Sequence, residues 1–518
     1  MVRAMTEPTK DQAIVRLDPV PKALATALIM AATVLVVLDQ TIANVALPHM
    51  QAALGATPDS ISWVLTSYIL ATAIATPLTG WLAGRIGRNR LFGIAIAGFT
   101  MSSAICGLSV SLPMMVAARL TQGFFGAFLL PMSQSFLYDM NKPSEQMRAM
   151  TIWGMGVMIA PVIGPALGGL LTEYLNWRWV FFINVPIGAL AAIGIFAVMP
   201  KFPSTRRTFD HIGFILIALA LGGLQLALDR GTQQDWLESS EIIIELGISA
   251  GAFWMLIFHL RHHPHPLIPI QLFQNRTFAG AMLLALVVAP VVIAGSALLP
   301  PLIQVLLGYP VLDSGLLMMP RGIAMAISMV IGGKLMQHFD GRVVIGLGLM
   351  LIIWSLWIQT GFSLQMDSRL LIWSGIVQGA GSGLAITTIN FVSVSTLPPA
   401  LRTDGAACYS LVRSLGSSLM ITFMTSMLAR NMQINHAEVG SALHASSTPF
   451  LMPQMLGGSH SSDQIAAFAN AEVTRQAMMI AYIDDFWLMM WLGVAAIPIL
   501  FLLSPVRSRK GQPMEIME

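Results

Sequence analysis

Leu24 to Ala46 reads LATALIMAATVLVVLDQTIANVA, twenty-three positions whose one charged side chain is Asp39. A helix needs about 20 mostly apolar residues to cross a bilayer, so this stretch reads as a membrane span. The polar segment before it, Met1 to Lys22, carries no small-residue cleavage pattern, and the apolar run is too long for the core of a signal peptide. It is therefore read as an uncleaved first span. Asp39 lies well inside it, where an ionised carboxylate costs roughly 2.5–3.5 kcal/mol on insertion scales.

The same window, moved outward, finds thirteen more spans. They lie near 62–82, 91–110, 113–136, 150–172, 178–199, 211–229, 241–260, 277–299, 314–335, 342–361, 369–391, 404–429 and 485–504. Over 518 residues, 55% are hydrophobic and 10% charged, against about 25% charged in soluble domains. Such a chain has too little polar surface to cover a water-soluble core, which excludes a cytosolic enzyme, a secreted domain and a disordered chain. The expected fold class is all-α integral membrane with about 14 transmembrane helices. A net charge of +3 does not point to nucleic acid, because the cations sit in short clusters between apolar runs rather than along one face. Cys106 and Cys408 lie within apolar runs without spacing for a disulfide frame or a metal site, and read as small buried hydrophobes.

With both termini cytoplasmic, twenty of the 28 lysines and arginines fall inside and five outside, while Arg119, Arg321 and Arg413 fall within spans. One missed or extra span would invert every later loop and destroy that asymmetry. A long-period echo also appears. The first span starts near Leu24 and the ninth near Thr277; Gln122-Gly123 is matched by Gln378-Gly379 at offset 256, and Arg148 by Arg402 at offset 254. The loop Gly80-Trp81-Leu82-Ala83-Gly84-Arg85-Ile86-Gly87-Arg88 has a degraded counterpart in Gly333-Lys334-Leu335 and Asp340-Gly341-Arg342. The reading is six spans, two inserted spans and six spans, an arrangement suited to alternating access at a central cavity. Its divisions are a tail (1–23), a first bundle (24–200), a linker with two spans (201–276), a second bundle (277–504) containing a long outer loop (431–484), and a tail (505–518).

Leu38-Asp39-Gln40-Thr41-Ile42-Ala43-Asn44-Val45-Ala46-Leu47-Pro48 in span one and Arg119-Leu120-Thr121-Gln122-Gly123 in span four resemble motifs of the major facilitator superfamily. So do Gly154 and Ala160-Pro161-Val162-Ile163-Gly164-Pro165-Ala166-Leu167-Gly168-Gly169 in span five. With Leu228-Asp229-Arg230-Gly231 and Asp235-Trp236 between the inserted spans, the chain most resembles the fourteen-helix drug:proton antiporters of the EmrB/QacA type. The resemblance implies a major facilitator fold and a bacterial inner-membrane exporter working with a periplasmic membrane-fusion adaptor and an outer-membrane channel. It departs at Gly84, where the superfamily loop usually has an acidic residue, so the charge-relay gate of that loop (Gly80, Arg85, Gly87, Arg88) is incomplete.

Asp39 and Arg119 are the candidate proton-coupling pair; a static pair fixing spans one and four is the alternative. Asn44, Gln122, Arg321, Gln378 and Arg413 are candidate cavity residues. For Arg413, packing between helices is the favoured role. Arg321 either faces the cavity, where it would favour anionic substrates, or snorkels to the outer interface. Gly154, Pro161, Gly164, Pro165, Gly168 and Gly169 combine a small-residue face with helix breakers, a close-packed and bendable segment. The 35 methionines are mostly core and lipid-facing filler. His262, His263 and His265 read as a solvated loop, and neither metal nor cofactor is expected. The long outer loop, with a helix near Asp463 to Met479, is a candidate adaptor contact or a lid. No Gly-x-x-x-x-Gly-Lys-Ser/Thr loop is present, so ATP coupling is not expected. The expected function is proton-driven efflux of amphipathic compounds. Alternatives are export of an endogenous metabolite, fatty acid or siderophore, and, in another class, a transport-inactive sensor or membrane-embedded enzyme, for which no intramembrane catalytic cluster is seen.

Overall fold

The computed structural model describes residues 19–199, 208–231, 234, 236–264, 266–442 and 462–505, and among these there is helix but no strand. The long helices are α1 Pro19–Leu54, α2 Trp63–Ile86, α3 Arg88–Gly107, α4 Leu112–Asp139, α5 Pro143–Tyr174, α6 Trp179–Val198 and α7 His211–Arg230. They continue with α8 Ser240–His262, α9 Arg276–Leu306, α10 Val311–Leu335, α11 Gly341–Gln359, α12 Ser368–Ser395, α13 Arg402–Ala442 and α14 Ser462–Ala496. Thirteen helices among the described residues are long and apolar enough to cross a membrane. α5, with 32 residues and about 48 Å of rise, brings the set to the expected fourteen.

Helices are the one open-ended structure that satisfies every backbone polar group within hydrocarbon. Their starts are marked by side-chain caps: Asp210 on Gly213 N–H (2.8 Å), Asn275 on Thr277 N–H (3.0 Å), Asp340 on Arg342 N–H (3.0 Å) and Asp367 on Arg369 N–H (3.1 Å). Large apolar side chains such as Trp254, Met350, Trp357 and Trp373 stand exposed, as a lipid-facing surface requires.

Small residues set the closest helix contacts. α5 runs alongside α1 in the same direction: Lys22 pairs with Glu145 at 2.7 Å, and a Cβ on Gly164 would overlap the Thr41 hydroxyl. On α12, Gly379 and Gly383 leave room for the α10 carbonyls of Arg321 and Met325. Gly87, between α2 and α3, has φ of 94°, a conformation that favours glycine.

Gln134 of α4 donates to Asn390 of α12 (3.5 Å), two positions separated by 256 residues. The two positions are one repeat offset apart, so corresponding stretches of α4 and α12 meet there. The inserted α7 packs against both α2 and α13, bonded to Ser418 through Gln225 (3.0 Å), while Arg230 ties the α7–α8 turn to Glu241 (2.7 Å) and Glu245 (3.3 Å).

The long outer loop is not mainly loop. Residues 431–442 continue α13 and residues 462–484 belong to α14, leaving 443–461 outside the described residues. At 41 residues and about 62 Å, α13 is twice the thickness of the hydrocarbon core. A hydropathy window ends a span where polarity begins, but the two helices pack against each other beyond that point, with Gly440 beside Val473 and His436 bonded to Asn470 at 3.1 Å.

Candidate functional site

Asp39 of α1 and Arg119 of α4 form an ion pair of 2.7 Å, exposed by 0% and 1%. Asp39 Oδ1 also accepts from Gln122 Nε2 (2.9 Å) and Asn184 Nδ2 (2.7 Å). Arg119 donates to Gln122 Oε1 (2.8 Å) and to the Val64 carbonyl (3.0 Å), and its guanidinium lies 4.4 Å from the centre of the Tyr68 ring. Asn184 on α6 is itself held by Ser103 of α3 (3.0 Å), which donates to the Phe181 carbonyl (2.9 Å). Side chains of α4 and α6 therefore bond to one carboxylate on α1, and groups on α2 and α3 hold those side chains in place. Asn184 was not singled out from sequence; the available signal was an amide inside an apolar span.

The glycines of α5 lean on the same turn of α1. A Cβ on Gly164 would overlap Thr41, and one on Gly168 would lie 3.1 Å from Ile42 and 3.3 Å from Val45, whereas Gly169 has nothing within 4 Å. Gly154 is elsewhere, facing α10 with Met329 at 3.5 Å. The side chains of Pro161 and Pro165 lie outside the described residues. Asn44 is exposed, on the face of α1 that also presents Gln40 one turn earlier.

At the end of the molecule where the described chain begins and finishes, the two bundles are tied together. Asp139 receives both Arg88 and Arg402 at 2.8 Å, one from each bundle. Ser135 and Thr403 hydroxyls meet at 3.2 Å, and the Asp404 carboxylate rests on the bare face of Gly80. Arg85 stacks on Trp81, 5.5 Å from the ring centre. Asp139 thus brings a carboxylate to the loop that lacks one at Gly84.

Between the bundles lies a small pocket of about 10 Å³, room for roughly one water, lined by Trp153, Gly154, Val157, Met329, Ile386, Thr387, Asn390 and Arg413. No acidic side chain pairs with Arg413 among the described residues. Arg321 neither snorkels nor lines this cavity. It is 8% exposed, inside the second bundle, and donates through Nη2 to Ser296 Oγ (2.6 Å) and the Val292 carbonyl (3.2 Å), while Nη1 has no partner among the described residues. Gln378, matched by the repeat to Gln122, accepts from Gln359 (3.5 Å), and its Nε2 has no partner among the described residues. Asp485 of α14, taken from sequence as the edge of a span, is 1% exposed with both oxygens unbonded among the described residues.

The Major Facilitator Superfamily profile matches residues 29–459. The chain belongs to the major facilitator superfamily. It is a multi-pass membrane transporter, similar to "Multidrug export protein EmrB" of Escherichia coli (strain K12), with 31% identity over 466 residues, 88% of this chain and 90% of that protein. "Fatty acid resistance protein FarB" of Neisseria gonorrhoeae is 31% identical over 479 residues, covering 90% and 93%. Among solved structures, the proton:xylose symporter XylE gives a TM-score of 0.62 at 11% identity over 95% of this chain and 98% of that one. The human organic anion transporter MFSD10 (TETRAN) gives 0.57 at 12%, over 92% and 100%. Those two likenesses concern the fold alone.

Proposed function

We propose that the protein is a proton-coupled exporter of amphipathic compounds, with Asp39 and Arg119 as the coupling pair and the cavity between the bundles as the substrate path. The observation that carries this reading is the convergence of Arg119, Gln122 and Asn184 on the buried Asp39 carboxylate. Protonating Asp39 in this arrangement strands Arg119, at a cost of about 3–5 kcal/mol for a broken buried pair. That cost biases the molecule toward another conformation by roughly two to four orders of magnitude, which is the differential affinity a coupling ion must have. The α5 glycines, packed on the same turn of α1, would carry the change toward the bundle interface.

The bundle ends tied by Asp139 are assigned to the cytoplasmic side of a bacterial inner membrane, in keeping with the excess of Lys and Arg there. No enzymatic role is assigned. The α13–α14 hairpin beyond the opposite face is the proposed contact for a periplasmic adaptor leading to an outer-membrane channel.

Arg413 favours a second, narrower reading in which anionic amphiphiles are the main cargo, and similarity to a fatty acid resistance protein supports it. The deciding experiment is proton movement in proteoliposomes under an imposed pH gradient, with anionic, neutral and cationic amphiphiles. Wild type should dissipate the gradient with substrate present, and Asp39→Asn should bind substrate without doing so. Retained pH-driven transport in Asp39→Asn removes it from the proton path.

A further inference from the structure

Asp210, the N-cap of α7, His259 in the last turn of α8 and His263, the C-cap that follows it, bring three ligand atoms within 4.8 Å of one another. Asp210 is 3% exposed. Its Oδ1 accepts from Gly213 N–H (2.8 Å), its Oδ2 from Leu267 N–H (3.2 Å), and His259 Nε2 lies 2.8 and 3.0 Å from the two oxygens. Burial pushes this carboxyl up, but the two N–H groups and the His259 ring outweigh it and hold it below the ordinary aspartate value. The two imidazoles stack, centres 4.8 Å apart and 27° from parallel, so both rings present the same edge of the helix.

Sequence alone read His262, His263 and His265 together as a solvated loop. The structure separates them: His262 turns away to the Phe258 carbonyl (2.8 Å) and stacks on the Phe258 ring, and His265 lies outside the described residues. His259 joins His263 instead, because the His263 N–H closes the last helical bond to the His259 carbonyl (2.9 Å) and the two rings stack beside the helix end.

We propose that Asp210, His259 and His263 bind a divalent transition-metal ion of the Zn²⁺ class at the mouth of the inserted hairpin. Two imidazoles and one carboxylate form the nitrogen–oxygen set such ions prefer, with water in a fourth position. Tetrahedral bonds of about 2.0–2.2 Å put neighbouring ligand atoms roughly 3.3–3.6 Å apart, so the Asp210–His259 pair at 2.8 Å would open slightly while side-chain rotation closes the widest separation by about 1.2–1.5 Å. The metal takes the Nε2 lone pair of His259, and the proton on that nitrogen moves to Nδ1 or leaves to solvent. A bound ion would fasten the start of α7 to the end of α8 and to Leu267 on the way to the second bundle.

The test uses the full chain in detergent, without a polyhistidine tag and stripped with chelator, titrated with Co²⁺ by visible absorption and with Zn²⁺ by calorimetry. Wild type should bind one ion per chain, with a tetrahedral Co²⁺ spectrum that Zn²⁺ displaces. His263→Ala, which keeps the Asp210–His259 bond, should weaken binding at least about tenfold. His262→Ala should leave it unchanged. No stoichiometric binding by wild type means a histidine–aspartate pair only and overturns the proposal, as does binding that survives His263→Ala or falls equally in His262→Ala. None of these readouts depends on transport.

Discussion

Breaking the Asp39–Arg119 pair from each side gives the sharpest energetic expectation. Arg119→Gln leaves the Asp39 carboxylate with the amides of Gln122 and Asn184 at 2.9 and 2.7 Å. Hydrogen bonds to charged groups are worth about 1.5–3 kcal/mol each, so the stranded charge is partly held. The loss is then expected at the low end of the range for breaking a buried pair, about 3 kcal/mol. Asp39→Asn strands Arg119, which keeps the Val64 carbonyl, Gln122 and the face of Tyr68, and a similar loss is expected. The double variant Asp39→Asn/Arg119→Gln removes both charges, and Asn and Gln can still bond to each other or to Asn184. It should recover at least about 2 kcal/mol of the summed losses, which is the coupling energy of neighbouring sites. Chemical unfolding in detergent, followed by circular dichroism, measures all four corners of the cycle. Single variants within about 0.5 kcal/mol of wild type, or a double variant equal to the sum of the singles, would falsify the picture of a desolvated pair that protonation can break.

Three other expectations follow from the geometry. Gly164→Ala places a methyl on the Thr41 hydroxyl and should cost about 1–3 kcal/mol, while Gly169→Ala, with open space around it, should stay within about 0.5 kcal/mol; equal effects in the same unfolding assay would undo the close-packing account. Asp139→Asn releases Arg88 and Arg402 together, two partly exposed pairs at 2.8 Å. It should weaken closure at that end by about 1 kcal/mol, roughly fivefold in population, read as a change in spin-label distances across the bundle ends. Arg413→Ala should weaken anionic amphiphiles about tenfold or more and spare cationic ones, whereas a uniform loss across charge classes takes Arg413 out of selectivity.

Much of the architecture is written locally. Runs such as 24–46 must cross a bilayer because nothing else hides their side chains, and helix is the conformation that satisfies their backbone there. Asp39 and Arg119 stood out because charges inside apolar spans are costly, and the same cost made their pairing foreseeable. Asn184 and Ser103 did not stand out, since single amides and hydroxyls in a span often bond to their own helix. Asp139 was hidden differently. It sits at the end of α4, where charges are ordinary, and only the meeting of the bundles puts it between Arg88 and Arg402.

The sequence by itself determined the spans and the pair of charges within the first bundle, because hydrophobic cost and helical period act over one or two turns. Tertiary structure alone decided which arginine faces the cavity. Arg321 and Arg413 have similar surroundings in the sequence, yet one is enclosed by the glycine face of α12 and the other opens between the bundles. It also decided that α13 and α14 continue as a paired hairpin. Those outcomes depend on which helices are neighbours, and neighbours are set by packing between segments hundreds of residues apart.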